Sequence, residues 1–294
     1  MPNIGINLGT HKRPQTTGYE FALQSQDTCM NVREVSQAER LTYENDGAAH
    51  LPNIFSADWI EFLCEAFKTA LAEPGPLAEE YTPEGKSGRF FADLNMWQRL
   101  EPFRKFVFDS PASVVAAQIM GATRINFLYD QMFVKEPSTE EETPWHQDQP
   151  YWAVKGRQVC SIWIPLDPVT KDSGLRFIKG SHFWEAYNPH HFADDTPYEG
   201  TGLPELPQID ISSEEHEILS WNVEPGDCLV FQGMIVHGAF GNPNPSQIRR
   251  ALATRWCGDD VRYFRGKGES AIPTSDPGLN NGDLLDCALF PRVC

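Results

Sequence analysis

The sequence predicts a mainly β fold, a sandwich or barrel with helices packed on its outside. Three observations point there. From Arg124 onward the chain breaks into short runs rich in Ile, Val, Phe, Tyr and Trp, each punctuated by Gly or Pro. Clear helical patterns all precede Gly121. Hydrophobic residues make up 40 % and aromatics 12 % of the 294 positions, enough for a sizeable core and too many for a disordered chain.

Residues 1–29 are polar, turn-rich and aperiodic, and read as a loose arm preceding one domain over residues 30–294. A short helix is expected from Ser36 to Asp46-Gly47, then a brief strand from Ala48 to Asn53. Ser56 is an N-cap for a helix to about Ala72, because Trp59, Ile60, Leu63, Phe67, Ala70 and Leu71 fall on one helical face. A Pro/Gly/Glu-rich loop follows from Glu73 to Gly88. Ser110-Pro111 opens another helix, with Pro at its first position, and Gly121 ends it. Arg124–Lys135, Gln158–Leu166, Gly174–Ile178, Leu219–Val223, Asp227–Phe231, Ile235–Gly238 and Arg249–Trp256 are the strand candidates. Between Phe183 and Glu217 an acidic, Pro-rich stretch without periodicity interrupts them. An insert of that length (residues 183–217) reads either as a lid or binding loop or as a solvated excursion without function. The tail from Arg262 reads as loop that wraps the barrel.

A formal net charge of −17, with no block of Lys or Arg, argues against nucleic acid and anionic membranes as partners and leaves a small molecule. Seven cysteines are dispersed without a CxxC pair, the pattern of reduced thiols, so a cytoplasmic location is expected. No apolar run approaches the roughly 18 residues of a membrane span. Oligomeric state leaves no mark in the sequence.

The chemistry centres on Thr143-Pro144-Trp145-His146-Gln147-Asp148-Gln149-Pro150-Tyr151-Trp152. In an extended backbone residues two apart share a face, so His146 and Asp148 can grip one ion. His237, on a later strand, is the candidate third ligand. Two imidazoles and one carboxylate match the set used by non-haem Fe(II) oxygenases, which leaves coordination positions open. The same set also holds zinc with an activated water, although no HExxH helix is present. After a Gly/Asn/Pro turn comes Arg249-Arg250-Ala251-Leu252-Ala253-Thr254-Arg255-Trp256. Strand alternation lets only one of Arg249 and Arg250 face inward, and a turn between two β runs suggests antiparallel neighbours that return an arginine to the metal. A guanidinium there suits a dicarboxylate co-substrate.

The segments FVKEP, TPWHQDQPYW, SIWIPLDPV, SGLRFIKGSH, GDCLVFQGMIVHGA, RRALATRW and GDD resemble, in order and spacing, the successive blocks of the phytanoyl-CoA dioxygenase family. The resemblance implies a double-stranded β-helix (jelly-roll, cupin-like) core with flanking helices. It implies Fe(II) on His146, Asp148 and His237, with 2-oxoglutarate and O2 as co-substrates and succinate and CO2 as products. By the same resemblance Arg249 binds the C5 carboxylate of 2-oxoglutarate, and Trp163 lines its pocket. His182, in the Gly180-Ser181-His182 block, is read as part of a turn and not a ligand. Asp148 retains the carboxylate that related halogenases lack, which favours hydroxylation, or its variants desaturation and epoxidation, over chlorination. Gln131, Lys135, Tyr151 and Trp152 are candidate substrate contacts at the mouth. A non-catalytic cupin-like binder with the same ligands is the rival from another class.

Overall fold

The structure, a computed structural model, describes residues 33–294 except 193, 212 and 213; the expected arm at residues 1–29 lies outside the described residues. Helices α1 (Gln37–Asp46), α2 (Ala57–Ala72), α3 (Glu101–Asp109) and α4 (Ala112–Met120) come first, with strands β1 (Ala48–Leu51), β2 (Glu79–Glu80) and β3 (Phe90–Leu94) among them. Ten strands follow: β4 (Asn126–Lys135), β5 (Thr143–His146), β6 (Val154–Lys155), β7 (Val159–Pro165), β8 (Leu175–Ile178), β9 (Ile218–Leu219), β10 (Cys228–Gln232), β11 (His237–Ala239), β12 (Arg249–Cys257) and β13 (Arg262–Tyr263).

The helix ends follow their capping residues. Ser36 and Glu39 form a reciprocal capping box on α1, and Gly47, at φ +87°, closes it in the left-handed conformation. A side chain at Gly47 would also run into the imidazole of His182. Ser56 caps α2 by accepting from the Trp59 N–H at 3.3 Å. Helix α3 and strand β3 were not foreseen; α3 buries Phe103, Phe106 and Val107. Phe103 packs 6.0 Å from Phe67 of α2, and Phe106 packs 5.6 Å from Phe55.

One sheet has the order β1-β10-β7-β12-β4-β3-β2, and a second has β5-β11-β8-β9. Every pairing between these strands is antiparallel. Phe177 of β8 meets Phe231 of β10 at 5.1 Å between ring centroids, so the two sheets face each other across a shared core. This is the jelly-roll arrangement. Strand alternation divides the seven-stranded sheet cleanly. Ile162, Val230, Leu252 and Met132 point outward to the core under the helices, while Trp163, Leu229, Phe231, Ala251 and Ala253 point inward.

Strands β11 and β12 are not the antiparallel neighbours that the intervening turn suggested. β11 pairs with β5 and β8, whereas β12 pairs with β7 and β4 in the other sheet. The turn is a corner between sheets. Asn242 fixes it by donating to the carbonyls of Lys135 (3.0 Å), Glu136 (3.1 Å) and Gln247 (2.8 Å), which directs the chain to β4. The tail adds to the edge of the barrel: Phe127 N–H donates to Pro291 O and Ile125 N–H to Cys294 O, each at 2.9 Å. Asp259 and Asp260 of the GDD block accept backbone N–H groups of Thr123, Arg124, Arg157 and Gln158, and so pin loops. Among the described residues no helix is long and apolar enough to cross a membrane.

Candidate metal centre and co-substrate pocket

β5 and β11 are paired so that His237 stands opposite His146. That register brings together two histidines far apart in sequence, with ring centroids 4.2 Å apart. Asp148 joins them by a different route from the extended backbone expected. It is past the end of β5, at φ −72° and ψ −46°, and opens the 3-10 turn Gln149–Tyr151. The turn forms at Pro150, and the side chain of Gln147 fastens the loop. Its amide donates to Glu185 O (3.1 Å) and Met234 O (3.0 Å) and accepts from Tyr187 N–H (2.9 Å).

Asp148 Oδ1 lies 3.4 Å from His146 Nε2 and 3.8 Å from His237 Nε2. Neighbouring ligands about 2.1 Å from a shared ion stand roughly 3–3.5 Å apart. The first separation falls in that range and the second just outside it. The donor set fits a metal in orientation too. His146 Nδ1 faces Pro144 O at 2.8 Å and His237 Nδ1 faces Ile235 O at 3.1 Å. Nδ1–H donation to a carbonyl leaves each Nε2 lone pair for an ion. The Ser161 hydroxyl donates to Asp148 Oδ2 at 2.8 Å and leaves Oδ1 turned to the imidazoles. Burial, then the neighbouring His146, pushes the His237 pKa down to about 3, keeping the ring neutral. For Asp148 burial opposes ionisation, but His237, His146 and Arg255 outweigh it and hold the carboxyl well below its usual range. A neutral imidazole and an ionised carboxylate are the forms that bind a cation.

The three ligand candidates open into a cavity of about 400 Å³ that also has Arg249, Trp163, Gln131, Tyr151 and Trp152 in its wall. Alternation on β12 resolves the arginine pair. Arg250 faces outward, where Asp167 accepts from its Nε (2.9 Å) and Nη2 (2.8 Å). Arg249 faces inward and donates only to carbonyls, those of Ser173, Phe240 (3.2 Å) and Gly241 (3.5 Å). No carboxylate pairs with it among the described residues, and burial alone pushes its pKa down to about 10. A desolvated guanidinium of this kind fits an anionic co-substrate.

Lys135 is not in the cavity wall. It is 1 % exposed, and its ammonium donates to Glu141 O (2.7 Å) and Phe240 O (3.0 Å). Burial, then Arg249 opposite it on the ladder, lowers its pKa. The expectation of a mouth residue fails because β4 carries Lys135 under the corner between the sheets. His182 stands apart from the metal candidates in a 3-10 turn, its Nε2 facing Glu44 O at 3.2 Å.

Arg255 was missed. It shares the inward face of β12 with Arg249, donates to Gln131 Oε1 at 3.0 Å, and lies 3.9 Å from Asp148 Oδ2 and 4.5 Å over the Tyr129 ring. Its Nε, the atom nearest Asp148, is buried and makes no hydrogen bond. Ser161 was missed as well, and so were the individual residues of the 183–217 insert that line the cavity, His190, His191, Phe192 and Tyr198. Parity was the available signal for Arg255, two strand periods beyond Ala251; nothing local marks the others.

The sequence model of the phytanoyl-CoA dioxygenase (PhyH) family matches residues 43–251. Among characterised proteins, ectoine dioxygenase of Sphingopyxis alaskensis is 24 % identical over 227 residues, 73 % of this chain and 74 % of that one. The 1-deoxypentalenic acid 11-beta-hydroxylase of Streptomyces arenae is 27 % identical over 165 residues, 55 % of this chain and 52 % of that one. Among solved structures, the non-haem alpha-ketoglutarate-dependent carbocyclase SnoK from nogalamycin biosynthesis superposes with a TM-score of 0.68 at 21 % identity, covering 88 % of this chain and 97 % of that one. EctD of S. alaskensis with 2-oxoglutarate and 5-hydroxyectoine gives 0.63 at 21 % identity and 85 % of each chain. These likenesses establish the jelly-roll fold. With the family match over most of the chain, they make it a member of the phytanoyl-CoA dioxygenase family and a non-haem Fe(II)/2-oxoglutarate-dependent oxygenase.

Proposed function

We propose that the chain hydroxylates a small organic molecule, with His146, Asp148 and His237 as the iron ligands and Arg249 as the anchor of the C5 carboxylate of 2-oxoglutarate. The observation that carries this reading is the occurrence, in one cavity, of a metal-ready triad and a buried guanidinium without a carboxylate of its own. Bound iron and 2-oxoglutarate supply the oxidation, in which O2 converts the keto acid to succinate and CO2 and replaces a substrate C–H by C–OH.

The protein's part is binding, orientation and exclusion of water. Pro144 O and Ile235 O hold the two imidazole tautomers, and Ser161 holds the carboxylate rotamer. Trp163 flanks the co-substrate, and Arg255 positions the centre through Asp148 and Gln131. The carboxylate at position 148 fills the place a halide would need, so oxygen transfer is favoured over chlorination. Tyr151, Trp152 and Gln131 contact substrate, and the 183–217 insert acts as a lid, supported by the His190–Phe192 segment in the cavity wall. The names of two relatives, an ectoine dioxygenase and a 1-deoxypentalenic acid 11-beta-hydroxylase, support a small molecule as substrate. The acidic charge supports no role for nucleic acid, and the six described cysteines, all free thiols, support a cytoplasmic setting.

The test is succinate formation by the full chain with Fe(II) and 2-oxoglutarate under air, with and without candidate small molecules. Succinate that requires Fe(II) and disappears in Asp148→Gly is expected. No succinate under any condition, with zinc retained and no affinity for 2-oxoglutarate, would overturn the reading.

A further inference from the structure

The cavity beside His146 is walled by aromatic rings, of which Tyr151 and Tyr81 already use their hydroxyl protons. Phe192, from the insert, sets its ring edge-on to the His146 imidazole at 4.8 Å and stacks on Tyr151 at 5.6 Å with planes 19° apart. Tyr198 closes on Tyr151 at 5.3 Å, and Tyr81 meets Phe192 at 6.5 Å. The Tyr151 hydroxyl donates to His190 O at 2.7 Å and accepts from His190 N–H at 3.1 Å. Tyr81 donates to Glu79, and Tyr129 accepts from Trp152 Nε1 at 3.0 Å. Tyr151, Tyr81 and Phe192 therefore offer a ligand ring faces and edges more than hydrogen bonds.

The charges around the same space are unfavourable to an anion. Apart from Arg249, which the co-substrate takes, the described arginine and histidine side chains of the wall each stand near a carboxylate. Arg255 stands beside Asp148 at 3.9 Å. His190 is flanked by Asp195 at 3.0 Å and Glu205 at 2.6 Å, and His191 lies 3.5 Å from Glu269. Glu79, Glu141 and Glu142 add carboxylates to the wall, and only Glu142 meets an arginine, Arg176. A cavity of about 400 Å³, shared with 2-oxoglutarate, is near the lower end of the roughly 300–1,000 Å³ that holds drug-sized ligands.

We infer that the substrate is a ring-bearing small molecule without phosphate or carboxylate groups, seated against the Tyr151–Phe192 pair. The inference rests on the oxygenase reading, because it takes the space beside His146 as the substrate's. It excludes an acyl-CoA, whose phosphates would enter past carboxylates with, among the described residues of the wall, no cation standing clear of a carboxylate except Arg249.

The experiment is isothermal titration calorimetry on the full chain loaded with Mn(II) and 2-oxoglutarate, using 2-naphthol, 2-naphthoate and 1-octanol as probes. 2-Naphthol is expected to bind about 10-fold or more tightly than either of the others. Phe192→Ala should weaken it about 10-fold, and Phe192→Tyr should restore it. Equal or tighter binding of 2-naphthoate or 1-octanol, no detectable binding of 2-naphthol, or a Phe192→Ala variant of unchanged affinity and melting temperature would each overturn the inference. Binding of 2-oxoglutarate itself, titrated first and repeated in Arg249→Gln, tests the oxygenase reading separately. If the co-substrate fails to bind, the same three probes titrated into metal-free protein still measure the preference of the cavity.

Discussion

Replacing Arg249 with Gln should separate function from stability in opposite directions. At neutral pH the guanidinium is charged in both the folded and unfolded chain, so its depression from 12.5 to about 10 measures what burial costs the folded state. A shift of that size corresponds to about 3 kcal/mol against folding. Its carbonyl partners, at Ser173, Phe240 and Gly241, return part of this, and a Gln amide can still donate to one or two of them. Urea denaturation of the apo-protein should therefore find Arg249→Gln unchanged in stability or firmer by up to about 3 kcal/mol. Two hydrogen bonds from the fork to a carboxylate are worth roughly 1.5–3 kcal/mol each, so the dissociation constant for 2-oxoglutarate should rise at least about 100-fold. Calorimetry with Mn(II) in place of iron measures this without turnover. Saturating 2-oxoglutarate should stabilise the wild type and not the variant. A variant that loses several kcal/mol of stability yet binds 2-oxoglutarate normally would make Arg249 a structural bolt and refute the reasoning.

Three further substitutions probe the parts that hold the site. Ser161→Ala removes the hydroxyl from Asp148 Oδ2 and should weaken Fe(II) or Mn(II) affinity about 10- to 100-fold while the melting temperature holds, read by metal titration. Gly238→Ala would set a methyl 2.8 Å from Thr143 O between β5 and β11, costing about 1–3 kcal/mol and spoiling the opposition of His146 and His237; denaturation and metal binding should both fall. Asp130, 1 % exposed and accepting from the Trp97 N–H at 3.0 Å, has its pKa pushed up to about 7 by burial. The folded state then holds a proton that the unfolded state releases near pH 4, so this group's contribution falls as pH rises from 4 to 7. Asp130→Asn should gain on the wild type across that window, by at most about 4 kcal/mol at pH 8. A difference that is flat with pH would contradict the assignment.

Much of the scaffold could be read because its signals are local. α4 lies between Pro111 and Gly121, and α2 begins after Ser56, since capping is settled by the residues at each end. Where tertiary packing decided the outcome, the reading failed. α3 is only nine residues long, and no side chain caps its start. It persists because Phe103 and Phe106 find Phe67 and Phe55, which are more than thirty positions away. The β11–β12 corner failed for a related reason. A Gly/Asn/Pro turn signals a reversal, but whether the strands it joins pair or part depends on Asn242 reaching the end of β4.

The site divides along the same line. Parity on β12 separates Arg249 from Arg250 and puts Arg255 on the inner face, so the electrostatics of the pocket were encoded at a period of two. The same rule, applied to His146 and Asp148, put the two side chains together through the wrong geometry, because Pro150 draws Asp148 into a 3-10 turn. What makes the triad competent is long-range: the register that sets His237 against His146, the hydroxyl of Ser161, and the Phe192 ring delivered by the insert. The candidate ligands are thus legible locally, while their orientation belongs to the assembled barrel. A variant that keeps all three ligands but shifts the β5–β11 register should lose metal as completely as one that lacks a ligand.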